Sequence, residues 1–398
     1  MRISTAAFNQ QAIDLINDKT ADLAATQAQL SSGHKVNSPA DDPVAAVHIL
    51  QINQAIAQST QYGRNADAAN ARLSNEDQTL SNVTDLLQHI RDLAVQANSG
   101  SNDSTSRAAI ATELDQDANQ LMALANTRDA NGEYLFSGLI TQTQPFSRTG
   151  TSVSYSGDQG TRLIQVGQTQ KVADGDNGYQ VFQSIPAGNG TFTASATASN
   201  TGTGGIGTAS VASQAAWVPG TYTIKFDTAT TYTVTDAANS TVSTGTFAPG
   251  GTIAFNGASI SISGQPSAND TFTVATAGTE DVFTTVDNLR AALRAPAGTP
   301  AENAQFGSTI GNILTQLDQA LGHIDDVRAT TGARVNAVTT AKSAGQSAQV
   351  DLQTSLSQLQ DLDYASAIGK LTLQQTGLQA AEAAYSKISQ LSLFDYIK

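Results

Sequence analysis

Residues 202–207 are the stretch of this 398-residue chain that most resembles a cofactor motif. They read Gly-Thr-Gly-Gly-Ile-Gly and match G-x-G-x-x-G, in which a glycine-rich turn brings the backbone close to a dinucleotide pyrophosphate. That turn has to lie between a strand and a helix, whereas here Thr, Ala, Ser and Asn precede it and Ser210–Pro219 carries no helical apolar face. The sequence therefore favours a flexible loop of a β-rich region over a nucleotide site.

Other residue types that commonly carry chemistry are few and dispersed. The chain has no cysteine, so neither a thiolate metal site nor a disulfide framework can form. Its four histidines include no H-x-x-x-H pair, which argues against a zinc site, and no G-x-S-x-G elbow presents a serine nucleophile. We therefore predict no catalytic, cofactor-binding or metal-binding residue, and we expect that the protein is not an enzyme.

Two acidic pairs have structural interpretations. Asp41 and Asp42 precede Pro43, and this order is typical of a helix start, because a carboxylate caps free amides and proline fits the first helical position. Glu76 and Asp77 interrupt a stripe of leucines. We expect a solvated flank there, with an intermolecular salt bridge as the alternative.

The overall charge excludes some classes of partner. The formal net charge is −14, whereas nucleic-acid binding needs a basic face. The sequence has no run of about 18 apolar residues, so we predict no membrane span. The first residues are polar and amphipathic rather than typical of a secretory signal peptide. If the protein leaves the cell, we expect export without a cleaved signal peptide.

The elements that dominate the chain are helices, and the C-terminal part shows this most clearly. Positions seven residues apart are mostly aliphatic, namely Ile310, Leu317, Ile324, Thr331, Val338, Gly345, Leu352 and Leu359. Such a repeat is typical of helices that pack along a seam. About 90 helical residues at ~1.5 Å each would span about 140 Å, so partner helices are required. The polar segment around Gly345 predicts a hinge, followed by a second rod with Tyr364, Leu371, Leu378 and Tyr385 in register.

The N-terminal half predicts further helices. Residues 1–33 carry Ile16, Leu23 and Leu30 seven apart, and a long helix from Pro43 to about Ser99 has the cleanest repeat, Leu73, Leu80, Leu87 and Ala94. A third helix ends near Arg128. Together with helices expected at 281–295 and 303–340, these segments predict a helical bundle.

Between 141 and 279 the composition changes to Thr, Gly, Ser and Ala with short alternating apolar runs, which predicts strands. Extended structure is expected to begin at Tyr134–Phe136, and Asn256-Gly257 predicts a hairpin turn. Trp217 is expected to be a core residue. The fold of 185–278 stays open.

These patterns predict an α+β protein, a long antiparallel helical bundle or coiled-coil rod formed by the N- and C-terminal segments, with an inserted β-rich domain. The expected domains are a terminal helical pair (1–40 with 350–398), disordered in the monomer and ordered on assembly, a bundle rod (41–140 with 280–349) and the insert (141–279). The candidate partner-helix interface residues are Ile16, Leu23, Leu30, Leu352, Leu359, Leu371, Leu378, Tyr385, Ile388, Leu391 and Phe394.

Several segments resemble the bacterial flagellin family. Leu30–Pro43 (LSSGHKVNSPADDP) and Arg91–Asn98 (RDLAVQAN) are similar to the N-terminal signature of that family. Asn131–Gly138 with Pro145-Phe146, and the C-terminal segments 361–367 and 390–397, resemble its members at the hook-filament junction. A filament flagellin would more typically show Phe-Asn-Gly before its variable region and a different C-terminal tail. The resemblance covers roughly 1–180 and 280–398.

The resemblance implies an extracellular structural adaptor of the flagellum that joins the hook, through hook-associated protein 1, to the flagellin filament. Such a chain would be exported by the type III route and assemble as a ring of copies, with a possible cytoplasmic chaperone on its C-terminal helix. A filament flagellin is the alternative. A surface adhesin, with the helices as a stalk for a ligand-binding insert, is a third possibility of another class.

Overall fold

The computed structural model describes residues 5–99, 103–150, 152–295 and 298–390. Packing divides the chain into two units, one formed by residues up to 64 together with those from 341 onward, the other by residues 65–340. The described residues form six α-helices: α1 (Thr5–Ser32), α2 (Pro43–Ala97), α3 (Ser104–Ala125), α4 (Val282–Arg294), α5 (Pro300–Gln360) and α6 (Tyr364–Gln390). Helices α2 and α5 contribute residues to both units.

The strands lie between α3 and α4, and all their pairings are antiparallel. They are β1 (Phe146–Thr149), β2 (Ser152–Tyr155), β3 (Leu163–Gln165), β4 (Lys171–Ala173), β5 (Ile185–Pro186), β6 (Phe192–Ala196), β7 (Gly205–Val211), β8 (Thr221–Thr228), β9 (Thr231–Asp236), β10 (Thr241–Thr246), β11 (Thr252–Phe255), β12 (Ala258–Ser263), β13 (Thr271–Thr276) and β14 (Thr279–Glu280). A π-helical turn covers Tyr179–Gln183. This architecture confirms the predicted fold class.

The helical repeats bury the residues that the spacing indicates. Leu73, Leu80 and Leu87 of α2 are fully buried, as are Ile310 and Leu317 of α5. Within the unit of residues 65–340, Leu80, Leu87, Ile310 and Leu317 belong to one core with α3 and α4. Burying each such side chain contributes roughly 1.5–3 kcal/mol, so packing stabilises these helices more than intrinsic propensity does.

The predicted hinge at Gly345 is wrong. Helix α5 runs without interruption from Pro300 to Gln360, and the break comes at residues 361–363. At Gly345 the neighbouring helix α2 lies close, since the Ser59 hydroxyl donates to the Gly345 carbonyl over 3.2 Å. This contact offsets the cost of a glycine in a helix, about 1 kcal/mol. The break instead follows from the cap of α6, where the Asp363 carboxylate accepts from the backbone N–H of Ala365 at 3.1 Å.

The strands from β6 to β13 form a separate core of two sheets. The larger sheet has the order β10-β9-β8-β13-β6 and the smaller one β11-β12-β7. Ile224 of β8 lies opposite Val234 on one side and Phe272 on the other, and all three side chains are fully buried. The predicted hairpin at Asn256-Gly257 is confirmed, because both residues have positive φ (+43° and +81°) between β11 and β12. Trp217 is half-buried and packs against this core through Phe192, with ring centroids 5.1 Å apart, so the expectation of a core residue is met only in part.

Two local predictions within the β-rich region are wrong. The glycine-rich stretch is not a flexible loop, since Gly205 and Gly207 lie in β7, and the Gly202 backbone N–H donates to the buried Asp270 carboxylate at 3.0 Å. Tyr134 forms an isolated β-bridge with Arg128, and Leu135 and Phe136 lie in a turn, so no strand begins there. The first error arises because the deciding contact comes from Asp270, which is distant in sequence.

The segment between α3 and β6 packs on the helical bundle rather than on the two-sheet core. Phe146 lies 5.1 Å from Phe283 of α4 and 5.5 Å from Phe182, centroid to centroid. The short pair β5–β14 then connects this helical core to the insert core, which begins at Phe192. The domain limits expected from the sequence stay a prediction.

Candidate functional site

The first and last described helices pack against each other. Helices α1 and α6 are in direct contact, and the end of α1 lies beside the start of α6, so the two run antiparallel. Both are striped only thinly with large apolar residues, and Ala and other small side chains allow the close approach. The chain ends therefore form a two-helix element within their own unit.

A short backbone ladder closes this pair at the end of α1. The N–H of Lys35 donates to the carbonyl of Gln360 at 2.8 Å, and the N–H of Leu362 donates to the carbonyl of Gly33 at 2.9 Å. Gly33 has a φ of +75°, and a Cβ there would lie 2.9 Å from the Tyr364 hydroxyl. The turn thus favours glycine for its backbone conformation, and a Cβ there would also displace the Tyr364 hydroxyl.

The loop between α1 and α2 is held by the two aspartates that were interpreted as caps. Asp42 accepts from the backbone N–H of Val44 at 3.1 Å and of Ala45 at 2.9 Å, which caps α2. Asp41 accepts from the N–H groups of Ser38 and Asn37, and these bonds lower the pKa of its exposed carboxyl below the ordinary value. The capping interpretation is confirmed for Asp42, whereas Asp41 holds the turn that precedes α2.

The candidate interface residues differ in what the structure reveals of them. Eight are half-buried on α1, α5 and α6: Ile16, Leu23, Leu30, Leu352, Leu359, Leu371, Leu378 and Tyr385. The side chain of Ile388 lies outside the described part of α6, and Leu391 and Phe394 lie outside the described residues altogether. The structure brings together the helices α1 and α6 that carry six of the eight, while the role of these residues in assembly stays a prediction.

A second set of apolar side chains in the same unit is exposed, and the sequence analysis did not single it out. Val44, Val47 and Leu50 of α2 are 69%, 54% and 62% exposed, and Val350 of α5 is 60% exposed. The three α2 residues follow a spacing of three, which places them on one side of the helix. The spacing of three was the sequence signal that could have revealed this surface. Exposed apolar rows of this kind are typical of surfaces that bind another protein.

The unit of residues 65–340 contains a buried polar cluster that sequence reasoning also missed. Arg72 is 6% exposed, and its guanidinium donates to the Asp129 carboxylate at 3.0 Å and to the carbonyl oxygens of Tyr134 and Leu135. The cluster joins α2 to the turn that follows α3. It positions backbone and performs no evident chemistry.

Glu76, one turn further along α2, corrects an earlier expectation. It is 1% exposed rather than solvated, and its carboxylate accepts from the backbone N–H of Asp176 at 3.0 Å. Burial, with the Asp176 charge nearby, raises the pKa of Glu76 to about 8. Asp77 pairs with Arg328 of the same chain at 3.2 Å. Asp77 stays half-exposed, as expected of a flank, and the alternative of an intermolecular salt bridge stays a prediction for Asp77 alone.

The described residues hold no group of three or more His, Asp or Glu side chains arranged for a metal ion. In the part of the chain that the structure describes, no helix is long and apolar enough to cross a membrane. What the unit of paired chain ends offers is a set of helical surfaces with exposed apolar side chains, which fits association with other helices.

Family models match most of the chain. The bacterial flagellin N-terminal helical region matches residues 3–141, and the bacterial flagellin C-terminal helical region matches residues 314–397. Residues 195–276 match the D2-like domain of flagellar hook-associated protein 1. The third match falls on the two-sheet insert, for which the sequence analysis had no motif.

Individual relatives agree with these matches. Flagellar hook-associated protein 3 of Salmonella typhimurium is 26% identical, over 99% of each chain. The crystal structure of Xanthomonas campestris FlgL is 35% identical, with 77% of this chain and 99% of that one covered and a TM-score of 0.70. The flagellar junction protein FlgL from Legionella pneumophila is 33% identical over 79% and 100%, with a TM-score of 0.72.

Filament subunits match a smaller part of the chain. Polar flagellin C of Vibrio parahaemolyticus is 32% identical, but over only 34% of this chain and 35% of that one. The fold combines paired helical chain ends with helices that carry an inserted β-rich domain. The chain belongs to the bacterial flagellin family, and within it to the hook-associated protein 3 group of hook-filament junction proteins.

Proposed function

We propose that this chain is the structural adaptor that joins the hook of the bacterial flagellum to the flagellin filament. The observation that carries the proposal is the length of the match. Similarity to hook-associated protein 3 extends over 99% of both chains, whereas similarity to filament proteins extends over about a third to a half of this chain. The chain is accordingly a flagellar component that associates with hook and filament components and with copies of itself.

The individual partners are proposed from the similarity to the hook-associated protein 3 group. Hook-associated protein 1 is the proposed contact on the hook side, and flagellin is the proposed contact on the filament side. Each copy would be exported through the flagellar type III route, with a cytoplasmic chaperone on its C-terminal helix before export. The exported copies would then assemble as a ring. The absence of cysteine from the sequence is consistent with transport of an unfolded chain.

The exposed apolar side chains of α2 support an assembly role for the unit of paired chain ends. Val44, Val47 and Leu50 leave apolar surface in water that a neighbouring helix would cover. Covering it would contribute roughly 25 cal/mol per Å² of apolar area. We propose that these residues contact another subunit of the flagellum.

The test is deletion of the gene, followed by inspection of the cell surface and of the culture medium. We expect hooks without filaments, with flagellin shed into the medium, and restoration of filaments by the wild-type gene. Hooks without filaments and without shed flagellin would instead indicate the filament subunit. Intact filaments would overturn the proposal.

Complementation with a variant tests the α2 surface. Val47→Glu combined with Leu50→Glu should fail to restore filaments, because two carboxylates would be buried at the contact. His48→Glu combined with Asn53→Glu places the same charges on exposed flanking positions of α2 and should restore them. Equal complementation by the two double variants would exclude this surface.

A further inference from the structure

The larger sheet of the insert ends on a strand with an unpaired edge. The order β10-β9-β8-β13-β6 leaves β6 with a single neighbour, β13. The backbone N–H of Thr197, just after β6, donates to the Thr271 carbonyl at 3.1 Å, and the register is regular from there to the start of the strand. In an antiparallel ladder, bonded residues alternate with residues whose N–H and C=O groups point away. Ala194 and Ala196 therefore direct their backbone groups away from β13, toward the open edge.

The two ends of this edge are satisfied, whereas its middle is not. At the start, the Phe192 N–H donates to the Asn189 side chain at 2.9 Å, and past the end the Ala198 carbonyl accepts from a glutamine of α5 at 3.0 Å. Between them, no group of the described residues bonds to the outward N–H and C=O of Ala194 and Ala196. An unpaired strand edge of this kind is a template for another strand.

A groove runs along this edge within the unit of residues 65–340, and β6, β7, α4 and α5 line it. The lining stretches Phe192–Ala196, Thr285–Ala292 and Ser308–Gln316 each extend over roughly 10–13 Å, at ~3.3 Å per strand residue and ~1.5 Å per helical residue. Small side chains leave the backbone accessible, namely Ala194, Ala196, Gly207, Ala209, Ala291 and Ala292. An extended segment of about four residues fits this length.

Glu280 is the only charged residue among the described residues that line the groove. Its carboxylate accepts from the Thr285 hydroxyl and the Asn288 side chain, both at 3.3 Å. No basic side chain of the described chain pairs with it, and Arg290 of α4 pairs with Asp115 instead. Burial raises the pKa of the Glu280 carboxyl above its ordinary value, so its ionised form would be favoured by a cation brought into the groove.

We propose that this groove binds an extended segment of a different protein and adds it to the edge of β6, with a Lys or Arg of that segment paired with Glu280. Backbone hydrogen bonds to Ala194 and Ala196 hold the segment, as in other cases of strand addition. Side chains of the segment that point toward α4 and α5 have to be small. A second copy of this chain fits less well, since the other free edge of the sheet, β10, carries no basic residue. The site is independent of the proposed junction role.

A peptide probe tests the groove in the full-length chain. The probe is a blocked, fluorescently labelled peptide Lys-Thr-Ala-Thr-Ala-Thr-Lys, which places a lysine near Glu280 in either strand direction. Fluorescence anisotropy should show saturable binding of this lysine peptide. The same peptide with Glu at both ends should bind at least about tenfold more weakly, because its carboxylates meet Glu280. Absence of saturable binding of the lysine peptide up to about 1 mM would overturn the site.

Ala194→Pro removes an edge-facing N–H and keeps the bonds to β13, because proline is tolerated on an edge strand in this orientation. It should weaken binding of the lysine peptide at least about tenfold. Thr244→Pro is the matched control on the opposite edge, β10. The Phe247 N–H donates to the Thr230 carbonyl at 2.7 Å, so Thr244 faces away from β9 by the same alternation. Thr244→Pro should bind as the wild type does, and equal affinities of all three chains would overturn the site.

Glu280→Gln tests the charge without a change to the strand, and it decides the matter if Ala194→Pro loses the fluorescence transition of Trp217 on unfolding. It should weaken binding of the lysine peptide at least about threefold. Asp227→Asn removes an exposed carboxylate of β8 outside the groove and should leave the affinity unchanged. Equal affinities of wild type and Glu280→Gln would overturn the pairing with Glu280.

Hydrogen exchange separates strand addition from a charge contact alone. Saturating lysine peptide should slow exchange of the Ala194 and Ala196 N–H groups at least about tenfold and leave that of Thr244 unchanged. Binding without this protection would overturn strand addition. Self-association of the wild-type chain that the peptide reverses and that Ala194→Pro abolishes would identify a second copy as the occupant, and would overturn the assignment to a different protein.

Discussion

Arg72 and Glu76 lie one turn apart on α2 and illustrate how single buried polar residues organise the helical unit. Arg72 binds the Asp129 carboxylate and two carbonyl oxygens, and Glu76 binds the backbone of Asp176, whose own carboxylate pairs with Arg334 of α5 at 2.8 Å. One cluster thereby connects α2, α5 and the loops between α3 and β5. Removing one partner from such a cluster leaves others buried without hydrogen bonds, which is costly.

Glu76 should make the stability of this unit depend on pH. Its pKa of about 8 in the folded chain lies above the ordinary value of 4.5, so between these values the folded chain binds more protons than the unfolded chain. The contribution of Glu76 to the free energy of unfolding is therefore fully present below about pH 4.5. It is lost as the pH rises through 8, with a slope of at most about 1.4 kcal/mol per pH unit. Urea unfolding from pH 5 to 9 should show this slope in the wild type and a smaller one in Glu76→Gln.

Asp77→Asn is the control for that experiment, because Asp77 is adjacent and acidic but only half-buried, and it pairs with Arg328 near the surface. It should keep the wild-type slope. Identical slopes for wild type and Glu76→Gln would contradict the assignment of the pH dependence to Glu76.

The pairing of α1 with α6 depends on the hydrogen-bonded segments 33–35 and 360–362, where the end of α1 meets the start of α6, rather than on strong intrinsic helix stability. Both helices carry narrow apolar stripes, and isolated helices of this kind are marginal in water. The ladder between residues 33–35 and 360–362, with the caps of α2 and α6, fixes where each helix begins or ends. Small changes in this turn should therefore affect both helices.

Gly33→Ala should weaken the α1–α6 pair. An L-residue at the φ of +75° costs roughly 1–2 kcal/mol, and the new Cβ would lie 2.9 Å from the Tyr364 hydroxyl. Amide exchange in the adjacent turns of α1 and α6 should accelerate by about 5- to 30-fold. Gly369→Ala, in α6 with no atom within 4 Å of the added Cβ, should slow exchange or leave it unchanged. Equal exchange in both variants would argue against the turn as the controlling feature.

At the scale of the whole molecule, the helical core and the insert core consist of separate sets of residues. The first runs from Leu80 to Ile324 and omits 186–281, whereas the second lies entirely within 192–274. Separate cores permit separate unfolding transitions. The insert can therefore vary in stability without loss of the helices that carry the proposed assembly surfaces.

Phe226→Ala tests this independence. Phe226 is fully buried in the insert, 5.1 Å from Phe247 between ring centroids, and its truncation should cost about 3–5 kcal/mol. Trp217, the single tryptophan, packs against Phe192 in the insert, so fluorescence reports on the insert and circular dichroism at 222 nm mainly on the helices. The fluorescence transition should shift while the helical one does not, and Leu87→Ala should do the reverse. A joint shift in both variants would mean one cooperative unit.

The sequence by itself determined the features that depend on local spacing and local bonds. Heptad repeats placed Leu73–Leu87 and Ile310–Leu317 in the core, Asp42-Pro43 marked the start of α2, and Asn256-Gly257 marked a hairpin. Motifs indicated the flagellin family. Each of these signals is read within a few turns of helix or a single turn of chain.

Only the tertiary structure decided what depends on distant partners. Helix α5 continues through Gly345 because Ser59, 286 residues away, contacts it, and Glu76 is buried because Asp176, 100 residues away, donates to it. No local pattern encodes such contacts, since they arise when the helices and loops pack.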